Sequence, residues 1–300
     1  MTKFEHMYEL GVRQFGILVD DISNDYATST CDMQIYMLNQ VQEQLYAKYN
    51  TEGSAPEDQV KGLFFTPAWY TTGSSGASSN LPKFQQLHED IEICFTGSDV
   101  FSSISNSSAT TFKNWIGRTP VMWWNYPVND AEDSVFFTNP INFDYSQDSN
   151  PTNIKGVLSN PMNYSEASKV ALFGVADYTW NPQAFDAQQN WYDCFDAIIP
   201  DDPEMADALR TVYGNLNDDY VPAEISRLIA GYSGTKESAA AIEDKMIEIM
   251  DAVEKVETLA DSDNAAYRLI VTEAQTSMNK LYDMAAAIGG AMAVVSSDDP

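Results

Sequence analysis

The sequence predicts an α/β fold: a partial (β/α)8 TIM-type barrel of about five strand–helix units in residues 1–200, then an α-helical bundle in 201–300. Three observations carry this. Short, almost wholly apolar runs (GILV, GLFF, IEICF, VMWW, GVL) recur through the first 200 residues with helical segments between them. Strands covered by helices on the outside and a packed interior have that composition, whereas strands wet on one face alternate. Polar and aromatic residues gather just after these runs. From about residue 201 the runs stop, and apolar residues step by three and four, the period of a helix face.

Taken in order, a short helical piece at Phe4 to Gly11 leads to a strand at Gln14 to Val19. A helix follows over about Asp32 to Tyr49, with Ile35, Leu38, Val41 and Leu45 on one face. Then come a strand at Gly62 to Thr66, the loop TTGSSGASSN, a short helix near Leu81 to Glu89 and a strand at Ile91 to Thr96. A helix near Ala109 to Ile116 precedes a strand at Pro120 to Asn125. After a long polar loop, 128–153, come a strand at Lys155 to Asn160 and a helix running from Ser165 into ADYTWNP. Strands separated by helices predict a parallel sheet. In the last hundred residues Ile242, Met246, Ile249, Val253 and Val256 form one stripe. Tyr267, Ile270, Ala274, Met278, Leu281, Ala285 and Ile288 form a second, and DSDN at 261–264 supplies capping residues between them.

Bulk composition narrows the chemistry. With 44% apolar and 12% aromatic residues among 300, a substantial core is available. The chain carries 16 basic and 44 acidic residues, net −28, so neither nucleic acid nor an anionic membrane is an expected partner. No run reaches the roughly 18 apolar residues of a membrane span. The N-terminus MTKFEHMYELG lacks a signal-peptide pattern, and it is also what a chain beginning inside a longer gene would show. Cys31, Cys94 and Cys194 have no metal-ligand spacing, and His6 and His88 give little material for a metal site or a Ser-His-Asp triad. Carboxylate, amide and aromatic chemistry remains.

Those groups lie at strand ends. Asp20 and Asp21 follow GILV, Tyr70 follows LFFTPAW, and Thr96 follows IEICF; Trp123 and Asn125 close VMWWN, Asp130 lies five residues on, and Asn160 ends KGVLSN. In a parallel barrel the strand C-termini share one face, where active sites sit. Successive strand side chains point to opposite sides. The second aspartate must therefore lie past the regular strand for both to face one bowl.

The stretches YELGVRQFGILVDDIS, FFTPAWYTTG, IEICFTG, VMWWNYPVND, SNPMNYSEASK and VADYTWNP resemble, in order, glycoside hydrolase family 84, the β-N-acetylglucosaminidases. The resemblance implies hydrolysis of terminal β-linked N-acetylglucosamine with retention, the sugar's own acetamido oxygen being the nucleophile. It casts Asp20 as the carboxylate that orients the acetamido N–H and Asp21 as the general acid and then base. Tyr70, Thr96 and Trp123 would wall the acetamide pocket, Asn125 would hydrogen-bond the acetamido group, and Asp130 and Asn160 would bind sugar hydroxyls. The implied partner is an N-acetylglucosamine-containing glycan or glycoprotein, with no metal or organic cofactor. Secretion or cell-surface display would follow for a full-length protein. Trp69 and Phe95 depart from the family, which often has Glu and Trp there. Residues 1–13 cannot hold the three strand–helix units that precede the Asp20 strand in the family. The resemblance thus implies a missing first part of the barrel, a possible partner for this chain, and an alternative as a sugar-binding fragment without turnover.

Overall fold

The computed structural model describes residues 1–131, 136–141, 146–216 and 222–297. Five strands form one sheet in chain order, β1 (Gly16–Leu18), β2 (Phe64–Thr66), β3 (Glu92–Phe95), β4 (Val121–Pro127) and β5 (Val157–Asn160). The β1/β2, β2/β3 and β3/β4 pairs are parallel, in registers such as Gly16 with Phe64, Phe64 with Glu92 and Cys94 with Val121. Along β4 and β5 the backbone bonds ascend together (Lys155 N–H to Pro120, Met122 N–H to Gly156, Val128 N–H to Asn160), so β5 runs parallel too. With its intervening helices this is the expected partial (β/α)8 barrel, five strand units of the eight.

The chain divides into two compact units. The first is Met1–Asn125 with Tyr145–Ser159, and the second is Tyr126–Asp144 with Asn160–Pro300. In the first, α1 (Thr2–Glu9) precedes β1, and α2 (Asn24–Tyr49) crosses from β1 to β2. Helix α2 buries Ala27, Cys31, Ile35, Leu38 and Leu45 at steps of four, four, three and seven. It begins eight residues earlier than the sequence predicts. The Ser23 side chain accepts the Tyr26 N–H and caps the helix, which offsets the poor propensity of the Asn-, Ser- and Thr-rich first turns. A short α3 (Ala77–Asn80) and a 3-10 turn (Leu81–Gln86) replace the helix expected to reach Glu89. Arg118, just before β4, donates to the carbonyls of Leu87, His88 and Ile91 at 2.8–3.1 Å, fixing the entry to β3. Helix α4 (Asn106–Ile116) follows β3, capped by Ser105 and ended by Gly117 in the left-handed conformation.

In the second unit, α5 (Ser165–Trp180), α6 (Ala187–Ile198), α7 (Pro203–Tyr213), α8 (Ala223–Ala230), α9 (Lys236–Glu257) and α10 (Ala265–Ser296) surround one core. Both predicted stripes face it: Ile242, Met246, Ile249, Val253 and Val256 on α9, and Ile270, Ala274, Met278, Leu281 and Ala285 on α10, are buried. Asn264 caps α10 through the Ala266 N–H. Helix α6 was not among the expected elements. Its cap is Asp186, which accepts from the Gln188 and Gln189 N–H groups. Among the described residues no helix is long and apolar enough to cross a membrane.

Candidate active site

Strand β1 stops at Leu18, one residue short of the expected end, and both aspartates lie past it. The Val19 N–H still reaches Thr66, the Ile22 N–H closes a turn on the Asp20 carbonyl, and α2 starts at Asn24. That turn releases the pair from strand alternation. Asp20 and Asp21 line one cavity of about 390 Å³ with Tyr70, Thr71, Ser74 and Asp99. Tyr70 Oη donates to Asp21 Oδ1 at 3.2 Å. Burial, then the charge of Asp21 and its hydrogen bond, then Asp20 and Asp99, push the Tyr70 phenol above the usual tyrosine range. The hydroxyl therefore remains a donor throughout the neutral range. None of the described lining residues is basic.

Strand β4 supplies the next pair by its pleat. Trp123 and Asn125 are half-buried on one face, while Trp124 points to the other, buried, with its indole N–H on the Ser102 carbonyl at 3.0 Å. Trp123 Nε1 donates to Asn125 Oδ1 at 3.1 Å, and Asn125 Nδ2 donates to the Val100 carbonyl at 3.0 Å. Thr96, buried at the end of β3, donates its hydroxyl to the Asp99 carbonyl at 2.7 Å. The loop 96–102 is thus a bracket. Asp99 and Val100 line the aspartate cavity, and their carbonyls hold Thr96 and Asn125.

The structure therefore links Asp20, Asp21, Tyr70, Thr96, Trp123 and Asn125 through hydrogen bonds or a shared cavity within the first unit. Asp130 and Asn160 belong to the second unit. Asp130 is exposed; Asn160, half-buried at the end of β5, accepts the Val128 N–H at 2.9 Å through its carbonyl. Asp99, Val100 and Thr71 are additions that the sequence reading missed. The one available signal was Gly-Ser-Asp after a strand, a turn sequence in which Asp bonds nearby backbone; here Asp99 Oδ1 accepts the Val100 N–H. Among the described residues no three metal-type ligands converge. The chemistry on offer is a carboxylate pair, one member steadied by a phenol, beside an amide and an indole.

A sequence profile described as NAGidase, beta-N-acetylglucosaminidase, matches residues 1–213. The chain is 28% identical over 191 residues to the protein O-GlcNAcase of Rattus norvegicus, covering 59% of this chain and 19% of that protein. The corresponding protein of Mus musculus matches equally, at 28% over 191 residues. Among solved structures, the one named CpGH84D superposes with a TM-score of 0.80 at 28% identity, over 98% of this chain and 48% of that one. An O-GlcNAc hydrolase mutant of Thermobaculum terrenum, at 20% identity and a TM-score of 0.76 over 98% of this chain and 64% of that one, shares the fold. The chain spans about a fifth of the curated relatives and about half of the first solved structure.

Proposed function

The chain belongs to the β-N-acetylglucosaminidase family of glycoside hydrolases, and from that premise we propose that it carries much of the active site of a retaining exo-β-N-acetylglucosaminidase. Residues 1–200 would form part of the catalytic module and 201–300 its helical companion. The observation that carries the reading is the Tyr70–Asp21 bond in a cavity that Asp20 also lines. A phenol on Asp21 Oδ1 leaves Oδ2 for the substrate, so the carboxyl is oriented as a general acid must be.

In the proposed reaction Asp20 accepts the acetamido N–H and aims the acetamido oxygen at the anomeric carbon. As that C–O bond forms, the glycosidic bond breaks and Asp21 delivers its proton to the leaving oxygen. The products are the free aglycone and, as the N–H proton passes to Asp20, an oxazoline. Asp21, now a carboxylate, takes a proton from water, whose oxygen bonds the anomeric carbon on the face that the aglycone left as the opposite C–O bond of the oxazoline breaks, and Asp20 returns the proton to the acetamido nitrogen. Asn125 and Trp123 flank the acetamido group, and Thr96 and Tyr70 complete its pocket. Substrate-assisted chemistry of this kind departs from the two-carboxylate retaining scheme. The substrate would be an N-acetylglucosamine-bearing glycan or glycoprotein.

A second reading is a sugar-binding fragment without turnover, favoured by the 48% coverage of a solved relative. Its missing partner would be the first part of the barrel. A fluorogenic β-N-acetylglucosaminide and a thiazoline mimic of the oxazoline separate the two. Turnover that falls about 10²–10⁴-fold in Asp21→Asn supports catalysis. Thiazoline binding without turnover supports the fragment. Binding and turnover indifferent to both Asp20→Asn and Asp21→Asn would sink both readings.

A further inference from the structure

Three carboxylates line the aspartate cavity, and the proposed catalysis uses Asp20 and Asp21 but gives the Asp99 side chain no task. Asp99 is fixed in the cavity wall. Its Oδ1 accepts the Val100 N–H at 2.7 Å, and its carbonyl accepts the Thr96 hydroxyl at 2.7 Å. Among the described residues no donor meets its other carboxylate oxygen. The loop 96–102 is in turn fastened to the loop after β2. The Thr96 N–H bonds the Tyr70 carbonyl at 2.8 Å, and the Thr72 and Gly73 N–H groups bond the Gly97 and Ser98 carbonyls at 2.9 and 3.2 Å. The Thr71 and Ser74 hydroxyls lie 2.8 Å apart. A Cβ on Gly73 would lie 2.9 Å from the Ser98 carbonyl oxygen, so the two loops pack backbone against backbone. The rim that carries Asp99 is therefore preformed.

Depth divides the lining. Thr71 is buried, and Asp20, Tyr70 and Ser74 are half-buried, whereas Asp21, Gly73, Ser98, Asp99 and Val100 are exposed. An exo-acting site takes the terminal sugar inward and leaves the rest of its substrate towards solvent. Asp21, the proposed proton donor to the departing oxygen, stands at that outer level. The aglycone therefore meets the exposed residues. Among them only Asp21 and Asp99 carry charge, and Asp21 is engaged by Tyr70 and the departing oxygen. The Asp99 charge also reaches the reacting centre: burial, Asp21 and Asp20 push the Tyr70 phenol up, and Asp99 adds to them.

We infer that Asp99 determines specificity on the aglycone side, favouring a peptide with positive charge beside its glycosylated residue over an anionic aglycone. The inference rests on the catalytic reading and names the substrate class of that same site. A carboxylate without a cationic partner attracts positive charge and repels negative charge, and such complementarity sets partner choice. Lysine and arginine give peptides their positive charge, whereas an acidic polysaccharide would bring a uronate carboxylate up to Asp99.

Calorimetric titration of the whole chain tests it without requiring turnover. The ligands are short peptides with N-acetylglucosamine β-linked through sulfur to a central cysteine, flanked by two lysines, two alanines or two glutamates. A thio-linked disaccharide of N-acetylglucosamine on glucuronate is the polysaccharide arm, and the thiazoline, which has no aglycone, reports on the sugar pocket alone. At about 0.1 M salt the screening length is about 10 Å, so the distant part of the −28 charge is damped and Asp99 is not. The lysine peptide should bind about five-fold more tightly than the glutamate peptide, the alanine peptide falling between them. Asp99→Asn keeps an acceptor for the Val100 N–H. It should weaken the lysine peptide and tighten the glutamate peptide, at least halving that ratio, and Asp99→Lys should invert the order. A merely structural Asp99 would instead move both peptides and the thiazoline in the same direction, and that result would overturn the inference. So would equal binding of the three peptides, binding of none of them, or a preference that Asp99→Asn leaves unchanged and that belongs to the charge of the whole chain. Tighter binding of the glucuronate disaccharide than of the lysine peptide would overturn it as well. All of these presuppose that the thiazoline binds; a wild-type chain that does not bind it refutes the catalytic reading itself, and this inference falls with it.

Discussion

Gly97 sits where the loop 96–102 leaves β3, with φ +110° and room for no side chain: a Cβ there would lie 1.9 Å from Ser102 Oγ. That hydroxyl donates to the Thr96 carbonyl at 2.6 Å. Gly97→Ala therefore meets left-handed strain and steric overlap together, and about 3 kcal/mol or more of stability should be lost. Urea unfolding measures it, and thiazoline binding should weaken in step, because the same loop holds Thr96 and Asn125. Tyr46 gives a pH prediction of known sign. Burial first, then its 2.9 Å hydrogen bond to Asp90, pushes the phenol up to about 12. The fold thus holds this proton more tightly than the unfolded chain does. The stabilisation is complete below the ordinary tyrosine value of about 10 and disappears as pH climbs from there towards 12. Tyr46→Phe should flatten the alkaline fall in melting temperature; an unchanged slope would contradict the assignment. At this scale the sequence was most legible where chemistry and period coincide. The Asp pair after GILV, and Trp123 with Asn125 two residues apart on a strand, could be placed from the chain alone. The Asp99 and Val100 carbonyls could not, since a backbone acceptor has no residue type to read.

Helix α5 begins directly after the Asn160 segment without a side-chain cap of its own. Glu273, on α10, supplies one. Its carboxylate accepts from Ser165 Oγ at 2.9 Å and from the Glu166 and Ala167 N–H groups at 2.9 and 3.1 Å. The negative charge also complements the positive end of the helix. Glu273→Ala should destabilise the chain by about 1–3 kcal/mol, read from urea unfolding. Glu273→Gln, which keeps an acceptor but not the charge, should lose less. Equal stabilities for wild type and Glu273→Ala would show that water replaces the cap. This device spans 107 positions, and no local pattern announces it. Local patterns did announce the α9 and α10 stripes, because their heptad-like spacing persists over many turns. The early start of α2 and the existence of α6 were missed for the same reason: tertiary burial of Ala27, Cys31, Cys194 and Phe195 outweighs weak local propensity.

Across the molecule two opposing surface properties set behaviour in solution. Strand β1 is the first in the sheet order, its outer edge has no strand neighbour among those described, and Leu18 on it is 46% exposed. The adjoining helix α2 exposes Tyr26, Met33 and Tyr36, the last two at 61% and 67%. An uncovered parallel edge beside exposed apolar side chains favours association. The five-strand inventory already implied that edge, and Tyr26, Met33 and Tyr36 lie off the Ile35, Leu38, Val41 and Leu45 stripe, but how far each stays exposed depends on what packs around α2. Against association stands the net charge of −28, whose repulsion reaches about 10 Å at 0.1 M salt and about 3 Å at 1 M. Self-association of the 300-residue chain should therefore strengthen as salt is raised, the reverse of an assembly held by ion pairs. Sedimentation velocity across that salt range measures it. Met33→Lys combined with Tyr36→Lys should return the chain towards monomer while leaving its melting temperature nearly unchanged, since exposed substitutions usually shift stability by less than about 0.5 kcal/mol. A chain that stays monomeric at every salt concentration would show that the α2 face is tolerated in water and that the β1 edge recruits no second copy.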